Sequence, residues 1–359
     1  MSNWSLIEHL TNYLHAPRWG DPSLPSLGAS VASAIVVNQY DEKTVVGKCR
    51  RSMCFRYLSS VYSHASKVPG YIPSWSDEKM HAVGEFVAHL KESQVPFTNY
   101  QQWIFRQGDL YEDYIISQAK NSGVYIADQV PVRFTKTNIS GKIDLYVINP
   151  ETGKNRKTEV KSVHGFGGTA VIGTPKAHRE HQLGTPRDSN LMQIALYDYK
   201  DKHLEEFEDS SLIYGSRDDG RYAEYRIRTV PDTGEIYYRG VAPILTNEVL
   251  SPINIGSIFN DGYKYVQTHV DNFVTPPRDY SLVHSPEQLQ KMYKRGELSK
   301  TLTEQMTKIE ERQVENVQRI ADGLKPKVDL KTPEIGHWQC DLCSYKTVCY
   351  DNKNQPRDL

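Results

Sequence analysis

Apolar and polar positions alternate through Lys142–Val147, the period of a half-buried strand, and Gly141–Ser162 reads as strand, turn, strand. Ile143, Leu145 and Val147 alternate with Lys142, Asp144 and Tyr146, which puts Asp144 on the face opposite the greasier one. Asn149-Pro150-Glu151-Thr152-Gly153 reads as a turn, so the segment is a predicted hairpin. Pairing about the Glu151–Thr152 midpoint sets Asp144 directly across from Glu159. Glu159 and Lys161, two residues apart on one strand, point to one face.

Helical spacing dominates before the hairpin. An amphipathic helix is expected at the N-terminus, followed by an extended or looped Pro/Gly/Ser-rich stretch. A helix is expected around KCRRSMCFRYLSSVYSHAS, with Lys48, Arg50, Arg51 and Arg56 interleaved with Phe55 and Tyr57. That mixture suits phosphates and stacked bases; it equally suits a solvated helix face. Asp77–Ser93 carries Met80, Val83, Phe86, Val87 and Leu90 at helical spacing. Trp103–Lys120 reads as a further helix, with Ile104, Leu110, Ile115 and Ile116 as its buried face, and Val130–Phe134 as a strand.

After the hairpin, residues 163–188 read as a long loop rich in Gly and His. His164, His178 and His181 make a weak metal set there, and Lys176, Arg179 and Arg187 are better suited to a substrate phosphate. Ser189–His203 is a predicted helix on which Gln193 and Tyr197, four apart, share a face that can sit over the hairpin. Strands are expected at Ser211–Tyr214, Tyr222–Thr229 and Glu235–Val241. From Ser257 the chain reads as helical, with one long charged helix from Pro286 to about Arg319. The fold class is therefore α/β, a mixed sheet with flanking helices. It divides into a helical region at 1–100, a core at 101–245 and a C-terminal helical region at 246–359.

Composition narrows the function. With 359 residues and a net charge of −1 from 43 basic and 44 acidic side chains, nucleic acid must be met by a local patch. No apolar run is long enough to span a bilayer, and the N-terminus lacks the layout of a signal peptide. The expectation is a soluble cytoplasmic protein, of a bacterium or a phage-infected cell.

The 5 cysteines bunch near the two chain ends, a poor disulfide framework and a better metal set. Cys340-x-x-Cys343-x5-Cys349 supplies three thiolates, and Cys49 or Cys54 supplies a fourth if the two regions meet. Sulfur chemistry alone leaves tetrahedral zinc and a cubane iron–sulfur cluster open. The facing carboxylates Asp144 and Glu159 repel one another, and a bound cation would turn that repulsion into attraction. Charged pairs are also common on ordinary surface hairpins.

Hairpin, Gln/Tyr helix and cysteines together resemble the PD-(D/E)XK nucleases of the RecB type. The branch is the one with an iron–sulfur cluster, which includes AddB-type nuclease domains, CRISPR adaptation nucleases and phage relatives. The resemblance runs from Cys49 to Cys349. Asp144 falls on the metal-binding Asp, Glu159-Val160-Lys161 on the (D/E)-x-K, and Gln193-x3-Tyr197 on the Q-x-x-x-Y motif. Gly108-x3-Glu112 falls on a G-x-x-x-H motif, with Glu where His is usual; Glu also ligates a hard cation. Cys49-Arg50-Arg51 falls on the family's first cluster cysteine, leaving Cys54 as the spare.

The resemblance implies a restriction-endonuclease-like core at 101–245, joined to helical N- and C-terminal parts by a 4Fe–4S cluster on Cys49, Cys340, Cys343 and Cys349. It implies a DNA exonuclease acting with Mg²⁺ or Mn²⁺ held by Glu112, Asp144, Glu159 and the Val160 carbonyl. Lys161 would orient water or stabilise charge on phosphorus, with a pKa that burial would lower. Gln193 and Tyr197 would position the strand. The implied substrate is DNA, single-stranded or with single-stranded ends, in recombination, repair or phage DNA metabolism, and the implied partner is a recombination protein or helicase. The competing reading is a non-catalytic DNA-binding or assembly protein with the same fold and a structural zinc or iron–sulfur site.

Overall fold

The computed structural model describes residues 25–350 apart from 69, 96–97, 135–136, 175–182 and 202–203. The N-terminal helix, His178, His181, Lys176 and Arg179 lie outside the described residues. In chain order the short β1 (Leu27–Gly28) precedes a separate antiparallel hairpin, β2 (Ser33–Val37) and β3 (Lys43–Gly47). Three helices follow: α1 (Arg50–Lys67), α2 (Asp77–Glu92) and α3 (Asn99–Asn121). Then come β4 (Tyr125–Phe134), β5 (Ile139–Ile148), β6 (Asn155–Val163), α4 (Gly165–Ile172) and α5 (Asp188–Lys200). Strands β7 (Ser210–Ser216), β8 (Tyr222–Thr229), β9 (Glu235–Ala242) and β10 (Val249–Asn254) complete the sheet.

Ile255–Ser257, a π-helical stretch Ile258–Lys264 and Tyr265–Asn272 run on as one helix, α6. The C-terminal region holds α7 (Pro286–Lys294), α8 (Lys300–Ala321), α9 (Trp338–Asp341) and α10 (Lys346–Tyr350).

The described strands form an 8-stranded mixed sheet in the order β1-β5-β6-β7-β8-β9-β10, with β4 on the other edge of β5. β1 pairs with β5 and β6 with β7 in parallel; the remaining ladders are antiparallel. Helix α5 packs on β6–β8 with Leu191, Met192, Ile194, Ala195 and Leu196 all in the main core. Helix α3 lies on β4–β6 and closes a second core of Ile116, Ala119 and Leu145. The sheet takes in β1 and β10, which lie outside residues 101–245.

Several expectations are corrected. Residues 163–188 are not all loop, because the small-residue and apolar run Gly165–Ile172 forms α4. The helix expected from Pro286 to Arg319 is two: Gly296, at φ 68°, takes the left-handed conformation that ends α7. The helical C-terminal part is preceded by β10, which its sequence, VLSPIN, masks with a proline. Leu110 faces solvent at 50 % exposure, while Ile116 and Ala119 make the buried face of α3. The face that Asp144 shares with Tyr146 is buried, and Asp144 meets polar partners there.

Candidate functional site

The hairpin register is the one its turn dictates. Asn149 Oδ1 accepts the Glu151 N–H, Gly153 sits at φ 69°, and Ile148 pairs with Asn155. Pairing continues to Leu145 and Thr158, so Asp144 and Glu159 come next, face to face. There the two strands part. β6 pairs with β7 along its other edge from Thr158 onward, and on the β5 side Asp144 Oδ2 accepts the Val160 N–H at 2.8 Å. The loss of the ladder is what frees β5 to present a carboxylate in place of a backbone pair.

Around that parting the charges converge. Lys161 Nζ donates to Glu159 Oε1 and stands 3.9 Å from Asp144 Oδ2. Glu159 is fully buried, and its Oε2 has no hydrogen-bond partner. Glu112 reaches the same group from α3, close enough to feel the charges of Asp144 and Lys161, and accepts a hydrogen bond from Gln129 Nε2. From α5, Tyr197 lies under β5 with Gln193 Nε2 at 3.3 Å from its hydroxyl; both are buried.

Burial pushes Glu159 up to about 8, with Asp144 adding to the rise and Lys161 opposing it. Burial likewise lifts Glu112 to about 7, and raises Asp144. Lys161 corrects the expectation of a lowered pKa. Burial pulls it down, but Glu159 and Asp144 outweigh that and leave it raised, an ammonium at neutral pH.

Each of these carboxyls is therefore more basic folded than in an open chain. The protons they retain stabilise the fold fully below the usual glutamate value of 4.5, and that stability is lost as pH rises through about 7 and 8. Metal-free protein should show a Tm that falls across this window. Mn²⁺ should restore it more at pH 8 than at pH 6, because at pH 8 it displaces fewer protons. Thermal melts with and without the ion check both; a metal increment larger at pH 6 would contradict the assignment.

Close packing sets the position of Tyr197. A Cβ built on Gly141 would lie 2.3 Å from its hydroxyl oxygen, whereas one on Gly108 meets only Ser162 Oγ at 3.6 Å. Gly141→Ala should cost about 1–3 kcal/mol by overpacking. Gly108→Ala, inside a helix, should be neutral or stabilising by up to about 1 kcal/mol. Urea denaturation of the two variants gives the contrast.

The second constellation joins the chain's two cysteine groups. Cys49, Cys340, Cys343 and Cys349 line one cavity of about 470 Å³, together with Lys48, Arg51, Arg56 and Arg278. Cys54 is elsewhere, buried in the main core. Asp279 draws the two parts of the chain together: its carboxylate accepts the Arg50 backbone N–H at 2.6 Å and the Arg50 Nη2 at 2.7 Å. Tyr280 Oη and Gln339 Nε2 both donate to the Gly47 carbonyl, at 2.8 and 2.6 Å. Phe55 packs edge-on to Tyr345, in a small core with Leu90, Val348 and Cys349. Burial raises the Cys49 thiol and pushes Cys349 up to about 12, so a metal entering here displaces protons.

Among the described residues no three His, Cys, Asp or Glu side chains stand close enough together to hold a metal ion. The donor types present are those the implied groups use. A buried carboxylate oxygen without a donor, among three carboxyls and one ammonium, suits a hard cation. Four thiols on one cavity wall suit a soft metal or an iron–sulfur cluster.

Of the other sequence candidates, His164 is exposed at the start of α4. The Arg187 backbone N–H donates to Tyr214 Oη at 3.0 Å at the start of α5. One residue of the site went unread. Gln129 lies on β4 between the pairs Asp128–Leu145 and Val130–Ile143, hence opposite Asp144. Nothing in its sequence context marks it, because its distinguishing feature is a backbone φ of 51°. No family model, no curated protein and no solved structure matches this chain. Among the described residues no helix is long and apolar enough to cross a membrane.

Proposed function

We propose that this chain is a Mg²⁺- or Mn²⁺-dependent deoxyribonuclease of the PD-(D/E)XK type, with a restriction-endonuclease-like core, degrading DNA from single-stranded ends. The observation that carries the reading is the parting of β5 and β6. It brings Asp144, Glu159 and Lys161 into one group with a buried carboxylate oxygen that has no hydrogen-bond partner, and Glu112 approaches that group from α3 through Gln129.

Asp144, Glu159 and Glu112 would hold the cation, with the Val160 carbonyl from the same strand. The ion supplies polarisation of the scissile phosphate and a water of lowered pKa. Lys161 stays protonated between Glu159 and Asp144, so it serves as a fixed positive charge for the oxygens of the transition state. Asp144 is kept in place by the Val160 N–H, which leaves its Oδ1 for the ion. Tyr197 and Gln193 brace β5 from below, so that Asp144 does not move as charge develops.

The four cysteines would hold a 4Fe–4S cluster that fastens the C-terminal segment to the start of α1. Linear single-stranded DNA should be consumed with Mn²⁺ while a covalently closed circle of the same sequence stays intact. Equal loss of the circle would replace end-dependent cleavage with internal cutting.

A further inference from the structure

Gln129 is the residue of the site with no role assigned by its sequence, and its backbone is the most unusual feature there. It has φ 51° in the middle of a ten-residue strand, where a non-glycine residue is normally extended. Its neighbours Asp128 and Val130 keep their ladder partners on β5. The left-handed conformation is therefore confined to the one position that faces Asp144. Left-handed residues other than Gly, Asn and Asp carry a steric cost, and such outliers persist where the surroundings over-determine them.

Here the surroundings include Glu112. Gln129 Nε2 donates to Glu112 Oε1, spanning from the strand to helix α3. Glu112 has no backbone tie of its own to the site, for it sits mid-helix, where its side chain would otherwise be free to turn to solvent. The amide fixes one carboxylate oxygen on the strand position that lies opposite Asp144, and so holds Glu112 beside that part of the sheet. Only a donor can do this: a Glu at 129 would repel Glu112, and a Gly would leave it untethered.

We infer that Gln129 is a positioning residue that holds Glu112 as the third carboxylate of the cation site, and that its strained backbone is retained for that purpose. The inference rests on the nuclease reading of the same site. Carboxylate ligands are in turn held by hydrogen bonds, and removing such a partner typically weakens metal binding about 10–100-fold.

The test uses the full-length protein, free of divalent ions, and Mn²⁺ alone as the probe. Bound and free Mn²⁺ are distinguished by electron paramagnetic resonance, and the metal-free Tm is measured on the same samples. Gln129→Gly should bind Mn²⁺ about 10–100-fold more weakly. Its metal-free Tm should be unchanged or raised by about 2 °C, because glycine accepts the left-handed conformation. Gln129→Glu, which keeps the length but removes the donor, should weaken binding as well.

Wild-type affinity in both variants would overturn the inference while leaving the nuclease reading intact. A lowered Tm in Gln129→Gly would also overturn it, since the residue would then be there for packing. Failure of the wild type to bind Mn²⁺ at all would remove the nuclease reading and this inference together.

Discussion

Asp144→Ala, Glu159→Ala and Lys161→Ala should each reduce DNA cleavage by at least about a thousandfold, with the fold retained. The size follows from the low-dielectric setting: a preorganised charge at such a site is worth about 10²–10³ in rate, and loss of an ion ligand removes more than one such contact. The three losses should not multiply, because Asp144, Glu159 and Lys161 form one charge group linked by a direct hydrogen bond and a 3.9 Å ion pair. Stability should move differently from activity. Alanine at Glu159 strands the Lys161 ammonium beside Asp144 alone, whereas alanine at Lys161 removes the charge that opposes the rise at Glu159 and leaves that buried carboxyl holding its proton. Circular dichroism melts set beside cleavage rates separate the two effects. Undiminished cleavage in all three variants would remove this group from the chemistry.

Cys343→Ser should have the opposite signature, a large loss of solubility and Tm. The cavity it lines joins α1 to the C-terminal segment across nearly the whole chain, so a metal there closes a very long loop. The other ties between these parts, among them Arg50–Asp279, the two donors to Gly47, the Val95 N–H to the Ser344 carbonyl and the Phe55–Tyr345 contact, do not fix the four cysteines to one another as a metal would. Anaerobically purified wild-type protein should be brown with broad visible absorbance, and Cys343→Ser should lose both. The Asp144, Glu159 and Lys161 variants should keep them. A colourless, zinc-containing wild type would keep the structural role of the cavity and replace the cluster. Cys54→Ser should keep the colour, because Cys54 lies in the main core away from that cavity.

The hairpin was legible because two local signals agreed. The turn residues set the register, and the register alone put Asp144 across from Glu159. The Gln193/Tyr197 pair was legible as a helix face, and the tight fit of Tyr197 over Gly141 gives that face its place. The meeting of Cys49 with the C-terminal cysteines was conditional on a long-range contact that no local pattern encodes; Asp279 and Gly47 make it.

What stayed hidden has physical reasons. β10 carries a proline and is an edge strand, so its periodicity is weak. The break between α7 and α8 depends on one glycine inside a charged stretch that otherwise favours helix. Burial of Asp144 depends on elements packed across the sheet, α3 among them, which alternation along β5 does not report. Gln129 is hidden because its significance lies in a backbone angle, set by neighbours on β5 and α3.

The most direct measurement of the central claim is digestion of end-labelled single- and double-stranded DNA by the purified protein, with Mg²⁺, with Mn²⁺ and with EDTA. The account predicts loss of labelled single-stranded DNA with either ion, none in EDTA, and none for Asp144→Ala under any condition. Intact DNA with both ions, from wild-type protein shown to bind Mn²⁺, would contradict it.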